Sequence, residues 1–147
     1  MKIKHIWKNE FKCNSQYAKI SPSAKTTYYT STVLYIGKKK VKRVCLHLVF
    51  SKIKGYSEVQ QSQIAEHISL YEKYDRILMC GDWNTTNYIF LKKAGYSLAN
   101  DGSMKTIPYS STVLDNIAVR GLKIENVNMI ETKLSDHNSL VCELIIK

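Results

Sequence analysis

The sequence predicts an α/β (α+β) domain in which mixed, largely antiparallel β-sheet layers are flanked by helices. Residues 26–36 and 41–50 are rich in β-branched and aromatic residues and surround a glycine-lysine turn, which predicts a β-hairpin. A helical pattern over residues 57–74 leads directly into the apolar segment 77–80, an order typical of a β–α–β unit. The length of 147 residues fits a single domain, 1–147.

The predicted crossover helix has a recognisable start and one apolar face. Ser57 is the expected N-cap, because its hydroxyl can accept a hydrogen bond from a backbone N–H group in the first turn. Ile64, Ile68 and Tyr71 follow at a spacing of four and then three residues, so they line one side of a helix. We expect this stripe to pack on the sheet.

The regions before and after this unit are less strongly patterned. Residues 1–25 form a poorly defined basic segment, for which the sequence predicts no element. A short helix is expected over 88–93, with Gly95 as the residue that follows its C-terminus. Residues 97–109 are expected to form a loop, and the remaining apolar runs predict strands at 112–119, 123–132 and 140–146.

Basic residues are concentrated in the N-terminal third. Residues 1–54 contain 13 Lys and Arg against one Glu, a net +12, whereas residues 55–147 contain 9 basic and 11 acidic residues, a net −2, which together give +10. This favours a polyanionic partner, with nucleic acid first and an anionic membrane surface second, although a lysine-rich solvated surface explains it equally well. The candidate nucleic-acid contacts are Lys38, Lys39, Lys40, Lys42 and Arg43.

The N-terminus predicts a cytoplasmic location, and the cysteine spacing predicts reduced thiols. The four cysteines show no CxxC spacing, and Cys45, Cys80 and Cys142 fall in predicted strands, so we expect core thiols and neither zinc nor disulfides. The first residues lack the apolar region of a signal peptide, and no apolar run is long enough for a membrane span.

Small polar clusters interrupt or end the predicted apolar strands. Asp82 and Asn84 lie in the turn after the 77–80 strand, where an α/β sheet usually presents its functional groups. Asp115 lies among apolar residues and therefore requires a partner, for which His137 is the candidate. Asp82 and Asp136 remain as oxygen ligands for a divalent cation, Mg²⁺ or Mn²⁺.

Three of these clusters resemble motifs of the endonuclease/exonuclease/phosphatase family, which includes the DNase I-like nucleases. The matching segments are Gly81-Asp-Trp-Asn84, residues 111–119 with their central Asp115, and Ser135-Asp-His137. Cys45-Leu-His-Leu48 resembles a fourth motif, with cysteine where the family usually has asparagine. The resemblance covers residues 26–147 and implies a reduced form of the DNase I-like four-layer sandwich, equivalent to the C-terminal portion of the family's domain.

The resemblance also implies a role for each matching residue. Asp82 would orient the attacking water, and Asn84 would hold a phosphoryl oxygen in the transition state. Asp115 and His137 would form an Asp–His pair at the scissile phosphate, and His47 would contact phosphate or protonate the leaving oxygen. Asp136 would be a metal ligand.

The N-terminal part of the family's pattern is not matched. The family carries an asparagine after its first strand and a metal-binding glutamate in a Q-E motif. Only Glu10 precedes His47 here, and it is the remaining candidate for that metal ligand, as a degenerate relic of the motif. Half of the sandwich is therefore expected to be absent, which would leave an apolar sheet face for a second copy or another chain to cover. A reduced domain that folds alone is the other interpretation.

The leading functional prediction is a Mg²⁺-dependent phosphodiester hydrolase that acts on nucleic acid. A catalytically inactive member that binds nucleic acid or a partner chain is the main alternative. A phosphatase or a lipid phosphodiesterase on the same scaffold is a third, because loops rather than shared motifs determine the substrate.

Overall fold

A computed structural model describes residues 2–22, 24, 27–50, 56–110 and 112–146. These residues form a mixed, largely antiparallel six-stranded sheet with the order β1-β2-β3-β4-β6-β5, a two-stranded sheet β7-β8, and three helices. The elements are β1 (Lys2–Glu10), α1 (Asn14–Tyr17), β2 (Tyr28–Ile36), β3 (Lys39–His47), α2 (Tyr56–Tyr71), β4 (Ile77–Asp82), α3 (Ile89–Lys93), β5 (Ser97–Leu98), β6 (Asp115–Arg120), β7 (Lys123–Ile130) and β8 (Ser139–Ile145). None of the described helices is long and apolar enough to cross a membrane.

The predicted hairpin and β–α–β unit form the centre of the large sheet. Strands β2 and β3 pair antiparallel, and β3 pairs parallel with β4 after the α2 crossover. Strand β6 then adds antiparallel to β4. The predicted α/β class with a mixed sheet is therefore confirmed.

The N-terminal segment contains elements that its sequence did not predict. Strand β1 pairs antiparallel with β2 along the edge of the sheet, from Lys2 opposite Tyr35 to Glu10 opposite Tyr28. The carboxylate of Glu66 on α2 then accepts hydrogen bonds from two backbone N–H groups directly after β1, at 2.8 and 3.0 Å. Contacts with β2 and α2 hold this segment in place, so its own residue pattern does not predict a strand.

The buried face of α2 is more polar than its sequence predicted. Ile64 and Tyr71 are buried as expected, but Gln60 and Gln63 are buried between them and the start of the helix. His67 is also fully buried and packs edge-on against Tyr29 and Phe11. Burial lowers the pKa of His67 to about 3, so its imidazole is neutral within this aromatic cluster.

The remaining element boundaries differ from the predictions by a few residues. Helix α2 begins at Tyr56, so Ser57 lies inside the first turn and is not the N-cap. Helix α3 ends before Gly95, whose φ of +78° is the left-handed conformation expected after a helix C-terminus. Strand β6 starts only at Asp115, and the two-residue strand β5 lies in the predicted loop.

Candidate active site

Three predicted site residues lie in one row across the carboxyl ends of the sheet strands and the start of β6. His47 on β3 is the direct partner of Asp82 on β4, and Asp82 is the direct partner of Asp115 on β6. The close approach of β3 and β4 requires glycine at position 81, because its φ is +140° and an added Cβ would lie 2.0 Å from the Leu46 carbonyl oxygen. The motif glycine therefore permits the row to form.

His137 joins this row from the loop before β8. Its Nδ1 atom lies 2.7 Å from the Oδ2 atom of Asp115, and both side chains are largely buried, with exposed fractions of 29% and 19%. This is the distance of a strong, charge-assisted hydrogen bond. The pair holds the imidazole in one orientation, with Nε2 on the opposite side of the ring.

The charges around His137 favour its protonated form. Partial burial by itself lowers the pKa of the imidazole, but the hydrogen bond and charge of Asp115 outweigh it, and Asp82 and Asp136 act in the same direction. The pKa of His137 is therefore raised above its usual value near 6.5.

Thr106 and Asn138 connect the two members of this pair through the backbone. The fully buried Thr106 hydroxyl accepts hydrogen bonds from the N–H groups of Leu114 and Asp115, at 3.2 and 3.1 Å. The Thr106 carbonyl accepts the Asn138 N–H at 2.7 Å, next to His137. Neither residue was predicted from the sequence, although Asn138 directly follows the Ser135-Asp-His137 motif.

The second histidine is held less firmly. His47 Nε2 lies 3.5 Å from Asp82 Oδ2, and the His47 side chain is 68% exposed. Asp82 itself is only 19% exposed, and its carboxylate accepts hydrogen bonds from the backbone N–H and the side-chain amide of Asn84, at 2.8 and 3.1 Å. Burial raises the pKa of Asp82, and the charge of Asp115 raises it further against the opposing Asn84 N–H.

Asn84 acts here mainly as a support for Asp82. The residue has a left-handed φ of +51°, and its buried amide also donates to the Leu48 carbonyl at 2.9 Å. Gln60 on α2 lies beneath it, with Nε2 within 3.2 Å of the carbonyl oxygens of Val49, Trp83 and Asn84. The implied contact of Asn84 with a phosphoryl oxygen stays a prediction, because both amide hydrogens already have acceptors.

The predicted metal ligands are only partly brought together. Asp136 is exposed beside His137, whereas Glu10 on β1 is separated from Asp82 on β4 by two strands, roughly 14 Å. The position of Glu10 therefore does not support its prediction as a ligand. Among the described residues, no group of three His, Cys, Asp or Glu side chains has the arrangement of a metal site.

The donor chemistry nevertheless fits a hydrated Mg²⁺ ion. Asp82 and Asp115 face each other in the ladder, and their negative charges repel each other. A bound cation would relieve this repulsion. Mg²⁺ usually retains several waters and binds through one or two carboxylates together with substrate phosphates. This pair could hold such an ion, but the described residues do not form an all-protein cage.

The predicted basic surface is divided by the fold. Lys42 is buried, with its ammonium group 5.0 to 5.6 Å from the ring centres of Trp7, Tyr71 and Tyr74, so the prediction that it contacts nucleic acid is wrong. Lys38, Lys39 and Lys40 are exposed, but they lie at the start of β3, roughly 25 Å from His47 at its end. Arg43 lies two residues before Cys45 on the same face of β3 as His47.

Comparisons with known proteins agree with this geometry at the level of fold. No family model and no curated protein matches the sequence. An endonuclease/exonuclease/phosphatase from Beutenbergia cavernae superposes with a TM-score of 0.77 at 14% identity, covering 99% of this chain and 45% of that one. The chain has the endonuclease/exonuclease/phosphatase fold.

Two further structures share the endonuclease/exonuclease/phosphatase fold. The human Nocturnin catalytic domain with bound sulfate has a TM-score of 0.69 at 16% identity, covering 99% of this chain and 60% of that one. D. rerio TDP2 complexed with a single-strand DNA product has a TM-score of 0.68 at 14% identity, covering 98% and 68%. The chain thus spans 45% to 68% of the three solved structures.

Proposed function

We propose that this protein is a member of the endonuclease/exonuclease/phosphatase family and a Mg²⁺-dependent phosphodiester hydrolase acting on nucleic acid. The observation that carries the proposal is the Asp115–His137 pair at 2.7 Å, set beside Asp82 and His47 in one row. A buried carboxylate that orients a histidine is a general arrangement for proton transfer. The shared fold supports the class of reaction, and the complex of TDP2 with a DNA product supports the class of substrate.

Each residue of the row has a distinct part in the proposed hydrolysis. Neutral His137 accepts a proton from the attacking water through Nε2, and Asp115 stabilises the imidazolium that results. Asp82, held by Asn84, orients the water. His47 is exposed enough to reach the substrate and can protonate the leaving oxygen.

The metal would be held by Asp82 with Asp115 or Asp136. Mg²⁺ or Mn²⁺ in that place supplies stabilisation of the negative charge on the phosphoryl oxygens. We extend the proposal to a cytoplasmic location, because all four cysteines are free thiols, as is usual in a reducing compartment.

One observation favours a second candidate function. The described residues contain no complete three-ligand metal site, and Glu10 lies far from Asp82. A chain with an incomplete site could retain the fold and bind nucleic acid, or a partner chain or second copy that supplies the remaining ligands, without hydrolysing phosphodiesters alone. A phosphatase on the same scaffold differs only in its substrate.

Plasmid nicking by the purified chain separates these functions. The assay compares Mg²⁺, Mn²⁺ and EDTA, with Asp82→Ala and His137→Ala as site variants and Lys38→Ala as a control far from the row. A hydrolase nicks DNA only with a divalent metal, and both site variants lose the activity while Lys38→Ala retains it.

Two other results have separate meanings. A folded protein that binds DNA in a salt-sensitive manner but never nicks it would contradict the hydrolase proposal and favour the binding function. Release of phosphate from a monoester without nicking would instead favour the phosphatase.

A further inference from the structure

Two cysteines on neighbouring strands face each other beside the row of site residues. Cys45 on β3 and Cys80 on β4 are direct partners in the parallel ladder, and their Sγ atoms are 3.5 Å apart. Each lies two residues before a site residue, His47 or Asp82, so all four side chains are on the same face of the sheet. The sequence predicted core thiols and no disulfides, and its residue pattern does not indicate this pairing.

The backbone already has the spacing that a disulfide requires. Neighbouring strands lie about 4.8 Å apart, within the range of about 4.4 to 6.8 Å found between the Cα atoms of bonded cysteines. The sulfur atoms would have to approach each other by about 1.5 Å to reach bonding distance, which rotation about the Cα–Cβ bonds can provide. The two strands therefore need no change of register.

The two cysteines are also partly exposed. Both cysteines are only half-buried, whereas Val44 and Met79, the adjacent residues that point to the α2 side of the sheet, are fully buried. Cys80 donates a weak hydrogen bond to the Val44 carbonyl at 3.7 Å, and both cysteine residues keep part of their surface exposed. A small oxidant can approach from this face.

We propose that Cys45 and Cys80 are an oxidation site at which a hydroperoxide joins β3 to β4 through a reversible disulfide bond. One thiol loses its proton and attacks the peroxide oxygen, which breaks the O–O bond and gives a sulfenic acid and one water when the oxidant is hydrogen peroxide. The second sulfur displaces the hydroxyl group from the sulfenic acid, forms the S–S bond and releases a second water. Two thiols are oxidised, one peroxide is reduced, and an added dithiol reverses the bond.

The pair is distinguished from the other two cysteines by its position. Cys13 precedes α1, and Cys142 lies on β8 in the smaller sheet, so the described structure gives neither of them a facing thiol. This proposal stands apart from the proposed hydrolytic function, because it depends only on the two facing strands.

Peptide mapping of the full chain tests the proposal. The reduced protein is treated with equimolar hydrogen peroxide, alkylated, digested with trypsin and analysed by mass spectrometry. Trypsin places the pair on peptides 44–52 and 77–92, each with a single cysteine, so the linked species is unambiguous. We expect this linked peptide to predominate, to disappear on treatment with dithiothreitol, and to form in a Cys13→Ser/Cys142→Ser variant.

The controls define what would overturn the proposal. Protein unfolded in urea before oxidation should give about tenfold less of the linked peptide, because the strands no longer hold the sulfurs together. Cys45→Ser should give none. Equal yields from folded and unfolded protein, or sulfinic acid at either cysteine without a linked peptide, would show that the facing strands do not form a disulfide site.

Discussion

The two Asp–His pairs of the site differ in how tightly the fold holds them. Asp115 and His137 are 2.7 Å apart and mostly buried, whereas His47 lies 3.5 Å from Asp82 and is 68% exposed. Both pairs combine the same residue types at the same sheet edge. The sequence motifs indicate the Asp115–His137 pair, whereas the Asp82–His47 contact follows from the strand register. The surrounding contacts leave one histidine largely buried and the other exposed.

The contacts explain this difference. His137 is held through Asp115, Thr106 and the N–H group of Asn138, so its imidazole approaches a substrate in one orientation. The Asp82 carboxylate is instead directed towards Asn84, and its 3.5 Å distance from His47 is longer than an ordinary hydrogen bond. A fixed group suits the transfer of a proton from water, and an exposed one suits contact with a departing oxygen.

The largest expected effect is the difference between the two histidine variants. His137→Asn should lower kcat/KM for phosphodiester hydrolysis by about a hundredfold or more, because it removes an oriented general base, while His47→Asn should lower it by about tenfold. Steady-state kinetics on one oligonucleotide substrate measures both. An equal loss in the two variants would contradict the assignment of unequal roles.

The Thr106→Val variant tests whether backbone support creates the fixed pair. Removal of the fully buried hydroxyl leaves the N–H groups of Leu114 and Asp115 without an acceptor, which should lower the free energy of unfolding by about 1 to 3 kcal/mol. Urea denaturation measures the change. Thr106→Ser retains the hydroxyl and lacks only the methyl group, so it is the matched control and should lose much less stability; an equal loss in the two variants would show that the hydroxyl does not support the pair.

The pH dependence of activity reports the Asp115–His137 contact. Because the pKa of His137 is raised, the acidic limb of kcat/KM should lie above pH 6.5 in the wild-type chain. Asp115→Asn removes the charge and the hydrogen-bond acceptor that raise this pKa, so the limb should move to lower pH. A limb that does not move would mean that another group controls the rate.

The free energy of unfolding should also depend on pH through the raised pKa of His137. A histidine whose pKa is raised by folding contributes stability that is present below its unfolded pKa and is lost as the pH rises through its folded pKa. Asp115→Asn should therefore destabilise the chain more at pH 5.5 than at pH 9, by about 1 kcal/mol at most for a pair this close to the surface. Denaturation at both pH values provides the measurement.

The smallest expected effect concerns the lysine-rich turn at the far end of β3. Replacing Lys38, Lys39 and Lys40 by alanine should change the slope of log affinity against log salt for a short oligonucleotide by less than about one unit, because a substrate in the row does not reach them. The same slope is measured for Arg43→Ala as a comparison, because Arg43 lies on the same face of β3 as His47. A slope that falls by about three units in the triple variant would place nucleic acid along the whole length of β3.

The sequence was most informative where local pattern and function coincide. The β3–α2–β4 unit and the polar positions of Asp82 and His137 follow from apolar runs, helical spacing and short polar interruptions. Lys42 was predicted to contact nucleic acid, but it lies on the same face of β3 as Val44 and Leu46 and is buried with them. The number of charges on a segment does not show which of them point inward.

The parts that could not be predicted depend on distant contacts. Strand β1 is defined by its pairing with β2, and Thr106 matters because its hydroxyl reaches the backbone at Asp115, nine residues later. The facing of Cys45 and Cys80 requires the exact register of two strands separated by a helix. None of these relationships leaves a periodic trace in the residues themselves.

Gln60 connects the conformation of the site to the packing of α2. Its side-chain amide lies within hydrogen-bond distance of the carbonyls of Val49, Trp83 and Asn84, which belong to the segments after β3 and β4. The final conformation of both segments therefore includes contact with α2. Recovery of ligand binding after dilution from denaturant would accordingly require the docked helix and not only a collapsed chain.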